Sequence, residues 1–461
     1  MTTPLHVPSR LVALVLAVGF IAAAGCRAQE APPPGSRSEA EHGDTAPVMA
    51  DTTPERTPPD SLRRLAAMQD SGRVVLPAAT QADLVAQDSL WDRALRLHYR
   101  TLVMDGHVDT PMLMLDEDYT LAERHSVRRA HLDLPRMEQG GLDAPFFSIY
   151  VAPYYGNGAR AVGRARAMID EVTRQVEATD EAELATTAGD VRRIARSGRA
   201  AILLGLEGGH ALAASPDTLR ALADAGIRYV TLTHVNTNRW ADSSQDEPRH
   251  GGLTDLGREM VRTMNEEGVL VDLAHVSDAT FFDALAVSTA PVIVSHSSCR
   301  HLTPTVRNVS DEQLRAVAQN GGVVMINFFD AMVNPALDRT VFAAAHRQLE
   351  REGKGLRSLW SAVYDVKRAR DLPGATLSDV LDHIDHAVEV AGVDHVALGS
   401  DFDGVFDLPQ GLEDVTRLPW ITYGLLKRGY TEAEITKILG GNTLRVLGAA
   451  GPPRRSVGER K

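Results

Sequence analysis

The feature that most limits what this chain can become is a rhythm. Eight short apolar runs recur along it: Thr101–Met104, Ala144–Val151, Ala200–Leu206, Tyr229–Thr233, Val269–Leu273, Pro291–Ser295, Gly322–Asn327 and His395–Gly399. Apolar runs of about four to eight residues read as buried strands. Segments of helical periodicity separate most of them, at Ala161–Glu177, Pro216–Ala225, Thr254–Glu267, Asp278–Ser288, Ser310–Gln319 and Leu377–Ala391. A helix over Ala86–Tyr99 leads in. Another over Thr431–Leu447 closes the chain, with Thr431 and Glu434 in capping-box spacing. Eight strands alternating with helices over this length predict an α/β fold, a parallel (β/α)8 barrel of the TIM type. An open doubly wound sheet would call for a Gly-rich phosphate turn after the first strand, and there is none. Val333–Thr376 is too long and too charged for a simple connection. It reads as an insertion on one barrel loop, with a lid or an oligomer contact (as in a homodimer) as its two roles.

In such a barrel the C-terminal ends of all strands converge on one face. The residues that end the runs are therefore predicted to share a site. The first run leads to His107 and Asp109, the third to Glu207 and His210, the fourth to His234, the fifth to His275, the sixth to His296 and the eighth to Asp401 and Asp403. One such residue would be a cap or a loop hydrogen bond. Gathered together and buried, they would be very costly without a cation. Imidazole with carboxylate suits zinc best, and manganese, cobalt or iron also fit. The set is too large for one tetrahedral ion, so two ions sharing one carboxylate is the expected solution, with Glu207 as the bridge. No lysine ends a run, which disfavours barrels that bridge their metals with a carboxylated lysine. The net charge of −13 excludes the basic face that a nucleic-acid partner requires.

The strings DGHVD, EGGH, LTHVNTN, VDLAHVS, VIVSHSS, RNVSD and GSDFDG, in this order, resemble the membrane (renal-type) dipeptidase family of binuclear zinc peptidases. So do DFDGVFDLPQGLEDV and YTEAEITKILGGNTLRVL, and the likeness runs over about residues 98–449. It implies a (β/α)8 barrel with two Zn2+ per chain, hydrolysing dipeptides through a metal-bridging hydroxide and often tolerating a D-residue at the C-terminal position. It implies that His107 and Asp109 hold one zinc, that His275 and His296 hold the other, and that Glu207 bridges them. His234 would contact the substrate and polarise the scissile carbonyl. Asp401 would be the acid/base residue, and Arg307 would clamp the substrate's C-terminal carboxylate. The alternatives are another binuclear hydrolase on the same barrel, such as a lactonase or β-lactam hydrolase, and an exported binding lipoprotein without activity. Two departures bear on substrate preference. The insertion has no close counterpart in the shorter animal members, and a tyrosine expected after the seventh strand is replaced by Asn327-Phe328-Phe329-Asp330.

The first residues read as a targeting segment. Arg10 precedes an apolar run from Leu11 to Ala24, short for a bilayer span, followed by Gly25 and Cys26. This resembles a bacterial lipoprotein signal over 1–26 with Cys26 lipidated; a plainly cleaved secretory signal is the alternative. Either implies export, to a lipid-anchored place at a cell-envelope membrane or to a periplasmic or secreted one. Residues 27–85 have the Pro-, Ser- and Thr-rich composition of a disordered tether. The folded part is then 86–449 with its insertion at 333–376, and 450–461 is a tail. Asp403 and His210 are read as supporting groups. His125, His131, His301, His383, His386 and His395 are read as ordinary surface or helix residues. Cys299 is read as a small, partly buried filler.

Overall fold

The computed structural model describes residues 88–452. The proposed leader, Cys26, the whole tether and all but the first residues of the tail lie outside them. Among the described residues no helix is long and apolar enough to cross a membrane.

Nine parallel strands form the sheet: β1 Met104–Val108, β2 Ala144–Tyr150, β3 Ala182–Leu184, β4 Ala200–Glu207, β5 Ile227–Thr231, β6 Leu270–Asp272, β7 Ile293–Ser297, β8 Val323–Ile326 and β9 Val396–Leu398. Eight of them run in the order β1-β2-β4-β5-β6-β7-β8-β9, and short β3 lies off this path against β4. The circle closes from β9 to β1 through a single bridge, Val108 with Phe402. Asp109 N donates to Phe402 O at 2.8 Å and Asp401 N to His107 O at 3.0 Å across the same seam. The Asp105 carboxylate completes it, accepting from Ser400 N at 2.9 Å. The barrel predicted from the eight runs is thus the fold, with β3 as an addition the sequence pattern did not announce.

Strand alternation separates two apolar layers. Phe146, Leu203, Tyr229, Leu270, Ile293 and Val323 fill the barrel interior, where Leu444 and Leu447 of the last helix join them. Their neighbours Phe147, Leu204, Val230, Val271, Val294 and Val324 face the surrounding helices. Side chains two apart share a face, so the inward row of β4 continues from Leu203 through Gly205 to Glu207. Gly205 is required there, because a Cβ would come within 2.0 Å of the Tyr229 ring.

Three strands break this parity, β5 between Ile227 and Tyr229 and two others that carry site histidines, each by one residue. In β1, Asp105 pairs with Pro145 but Val108 with Phe147. In β7, Val294 pairs with Val324 but Ser297 with Ile326. Each is one extra residue opposite its partner strand, the signature of a β-bulge. From Met104 and Ile293, which point inward, strict alternation would turn His107 and His296 towards the helices. The extra residue brings both back to the barrel mouth. Correspondingly β1 does not occupy Thr101–Met104 but runs four residues further, and Asp109 lies just past it as the N-cap of the helix Thr110–Asp116.

The closing helix is capped as expected, with Thr431 and Glu434 exchanging hydrogen bonds. It is not continuous. Glu432–Thr436 passes into one π-type turn at Lys437–Gly441 before Asn442–Ala450. A Cβ on Gly440 would sit 2.3 Å from Leu102 O, so the turn lies where the helix meets the approach to β1.

The inserted segment folds as two helices, Arg339–Glu352 and Leu359–Ala369, around a small apolar core of their own that includes Val341, Phe342, Leu349, Leu359 and Val363. Lys367 Nζ ties it to the barrel rim through Asp330 at 2.7 Å and Asp407 at 3.1 Å. Arg357 reaches the loop after β5 and pairs with Asp246 at 2.6 Å.

Candidate active site

Glu207, at the end of the inward row of β4, stands at the centre. His275 Nε2 lies 3.1 Å from its Oε1, His296 Nε2 3.5 Å and His234 Nε2 3.9 Å. His107 Nε2 approaches the other oxygen, Oε2, at 3.6 Å, and Asp109 Oδ2 lies 3.3 Å from that same imidazole nitrogen. The structure therefore brings together all five residues expected to hold metal, and each Glu207 oxygen faces one of the two expected pairs. His234, Asp401 and Arg307 line the same cavity, which holds about 220 Å³.

Supporting groups fix each side chain. His107 Nδ1 is hydrogen-bonded to Tyr229 OH at 2.8 Å. His296 Nδ1 contacts Ser295 Oγ at 2.9 Å, and that hydroxyl donates to Asp272 Oδ2 at 2.7 Å. Ser148 Oγ donates to Glu207 Oε2 at 3.3 Å. Asn327 Nδ2 donates to Asp401 Oδ2 at 2.9 Å. His275, Asp401 and Asp403 have φ of 65°, 66° and 67°, a left-handed backbone that is costly outside glycine and that clusters at functional sites. Asp403 is a supporting group as expected, accepting from Thr110 Oγ1 at 2.6 Å and from His131 N. Gly404 allows the turn to close, since a Cβ would fall 2.1 Å from Asp109 Oδ2 and 2.4 Å from Asp401 Oδ1.

The electrostatics follow from burial. Desolvation pushes the Glu207 carboxyl up, but His107 and His234 outweigh it and hold the group well below the usual range. Burial pulls His107 down, yet Tyr229, Glu207 and Asp109 together keep it well above an ordinary histidine. His275 and His296 are driven well below 6.5, first by desolvation and then by neighbouring cationic groups. Asp401 is pushed up to about 7 by burial, with Asp109 and Glu207 adding to the rise and His107 opposing it. Burial lowers Arg307 to about 10, although Asp401 and Glu207 favour its charge.

Do these residues fit divalent cations? Buried His107 Nε2 and Asp109 Oδ1 have no hydrogen-bond partner. Nε2 of His275 and Nε2 of His296 face one another at 2.9 Å. Each orphaned buried polar atom costs about 1–3 kcal/mol, and a shared cation satisfies several at once. Neutral imidazoles beside an ionised carboxylate are the donor set that zinc-type ions take. Ligand atoms of His107, Glu207 and His296, of Glu207, His234 and His275, and of His107, Asp109 and Asp401 all lie within 4.8 Å of one another in each group. The fit is good.

Several working residues escaped sequence reasoning. Tyr229 was only part of a strand; its inward parity beside Gly205 was the available signal. Asn327 stands where a tyrosine was sought, and its partner is Asp401. His383 is not a surface residue. It is buried, and its Nδ1 accepts from Cys299 N at 2.9 Å, because the helix Leu377–Ala391 packs it under the loop after β7. Cys299 is fully buried. His131 is part-buried, with Nδ1 accepting from Asp403 N at 3.0 Å.

A parallel barrel with a buried imidazole–carboxylate cluster at its catalytic end defines a metal-dependent hydrolase. The sequence model of the membrane dipeptidases (peptidase family M19) matches residues 91–458, and the chain belongs to that family of metallopeptidases. Among its relatives, dipeptidase tcpJ of Claviceps purpurea is 37% identical over 360 residues, 75% of this chain and 76% of that protein. Dipeptidase verJ of Clonostachys rogersoniana is 36% identical over 375 residues, 78% and 87% of the two chains. Among solved structures, the probable dipeptidase PvdM from Pseudomonas aeruginosa superposes with a TM-score of 0.70 at 27% identity, covering 79% of this chain and 98% of that one. A metallo peptidase from Rhodobacter sphaeroides, liganded with a phosphinate mimic of the dipeptide L-Ala-D-Ala, gives a TM-score of 0.63 at 26% identity, covering 76% and 99%.

The Tyr229 hydroxyl offers a test of the support around His107. Tyr229→Phe is expected to weaken metal binding about tenfold, in the range for lost outer-shell partners, with the fold unchanged. Competition with a chromogenic chelator measures it, and an unaltered affinity rejects the role.

Proposed function

We propose that this chain is a zinc dipeptidase with two ions per site bridged by Glu207, cutting dipeptides and accepting a D-residue at the C-terminal position. The observation that carries this reading is the single carboxylate whose two oxygens each face a separate pair of ligands, His107 with Asp109 and His275 with His296. The likeness to a peptidase that binds a mimic of L-Ala-D-Ala supports the stereochemical part.

When bound, such cations supply Lewis-acid chemistry, acidifying a water and polarising a carbonyl. The protein's own groups do the rest. Asp401, buried with its pKa raised towards neutrality, takes up the water's proton and returns it to the leaving amine. His234 sits beside Glu207 with its ring edge-on to Tyr150, and it donates a hydrogen bond to the carbonyl oxygen as charge builds there. Arg307 lines the cavity, and among the described residues no carboxylate pairs with it; its guanidinium donates one long hydrogen bond, 3.5 Å, to His296 O. A buried guanidinium free to make a charge-assisted pair suits a terminal carboxylate. Holding that end limits how long a peptide can fit.

Elemental analysis combined with hydrolysis of paired L,L- and L,D-dipeptides tests the reading. Two zinc equivalents with cleavage of both series are expected; inertness towards every dipeptide after zinc is supplied rejects it. Arg307→Ala should raise KM about 30-fold or more, as loss of a charged hydrogen bond does, while kcat changes little. An unmoved KM means the clamp is misassigned. The inference of export and lipid anchoring rests on Leu11–Cys26 alone.

A further inference from the structure

The cavity is lined by two groups of side chains with different chemistry. One is the polar set around Glu207. The other is apolar, with Phe329, Met332, Trp360, Val405 and Phe406. Trp360 belongs to the inserted segment and not to the barrel, so the insertion contributes directly to the catalytic cavity.

The aromatic members form a connected cluster. The Phe329 ring lies 5.3 Å from Trp360 and 5.7 Å from Phe406, both edge to face. Phe406 also meets Tyr364 at 4.8 Å. The cluster is built on fixed supports. Asp330, next to Phe329, and Asp407, next to Phe406, both hold Lys367 Nζ, and that ammonium lies 5.1 Å from the Tyr364 ring. Asp330 N also donates to Asp407 O at 3.0 Å. The helix Leu359–Ala369 thus locks the loops after β8 and β9 together, with the rings presented to the cavity. Even so, Phe406 is 73% exposed. An apolar wall shared by several side chains of one cavity, with one large ring of it open to water, suits an apolar group of a ligand.

We propose that Phe329, Trp360 and Phe406 form a side-chain subsite that selects dipeptides carrying a large apolar or aromatic residue. This rests on the dipeptidase reading and adds its substrate class. The apolar side chain covers Phe406 and packs edge-on against Trp360, while the peptide bond lies at Glu207. Selection arises from binding, because the rings carry no group that takes part in the chemistry.

The test measures kcat/KM for Ala-Ala, Phe-Ala and Ala-Phe with the zinc-loaded full-length protein, its Phe406→Ser variant and its Trp360→Leu variant. The wild type is expected to prefer one phenylalanine dipeptide over Ala-Ala by about tenfold or more, the scale of burying one large apolar side chain. Both variants are expected to bring that ratio close to one, chiefly through KM. Phe406 is largely exposed, so its variant reports on the subsite without disturbing the core. A wild type that cleaves Ala-Ala as well as both phenylalanine dipeptides overturns the subsite alone, as do variants that keep the preference. A wild type that cleaves none of the three overturns the dipeptidase reading, and the subsite with it.

Discussion

Asp401→Asn is expected to lower kcat by about 10²–10⁴-fold, the range for loss of a positioned general acid/base, and to leave the metal content unchanged. The substitution keeps the shape of the side chain. It also keeps an oxygen to accept from Asn327 Nδ2, which holds the carboxylate at 2.9 Å. The left-handed backbone at residue 401 is anchored by Asp401 N to His107 O and Gly404 N to Asp401 O, and neither bond involves the side chain. What is lost is the ability to gain and release a proton. Elemental analysis of the purified variant separates the two roles that Asp401 could play. Lost turnover with full metal content supports proton transfer. Lost metal makes Asp401 a ligand, which its place within 4.8 Å of His107 and Asp109 also allows. Unchanged turnover would falsify both.

A larger effect is expected at Glu207. Glu207→Ala should abolish hydrolysis, by at least about 10³-fold since the whole metal-dependent nucleophile is removed, and should leave less than one metal equivalent per chain after dialysis. Glu207 faces both sets of ligands: His275 and His296 meet one carboxylate oxygen and His107 the other. Its removal therefore strips a ligand from both expected positions at once. It also leaves three buried imidazoles and the part-buried His234 without their anion, and His107 loses one of the groups that sustain its charge. Thermal unfolding with and without added zinc provides the second readout, because a cation that binds only the folded state raises the unfolding temperature. A variant that retains two metals and normal turnover rules out the bridge.

Much of this was legible from the residues. Regular spacing of apolar runs forces a barrel, and the barrel forces run-ending residues such as Glu207 and His275 to one rim. The missing parts have identifiable causes. The boundaries of β1 differ because Asp105, Gly106 and His107 look like a loop in sequence, while in the fold Asp105 Oδ1 accepts from His107 N in its own strand and from Ser400 N across the barrel seam. Tyr229 carried no polar-cluster signal, since its hydroxyl becomes meaningful only once Gly205 makes room for the ring. The break in the closing helix depends on how near Gly440 comes to Leu102, a distance no local pattern encodes. The insertion's charged, mixed composition hid Trp360, whose neighbours Phe329 and Phe406 come from other loops.

The extra residue in β1 and in β7 has a consequence for how such a centre can change. Point substitutions can alter a ligand's chemistry, but a pleated strand offers each residue only two directions, and no replacement side chain can choose between them. Straightening either bulge without removing a residue would aim its imidazole outward, at the helical shell, whereas losing the extra residue together with the bulge would leave it facing the mouth. The aim of each imidazole therefore depends on the residue count and the bulge matching one another, a condition set by the backbone and not by side-chain chemistry.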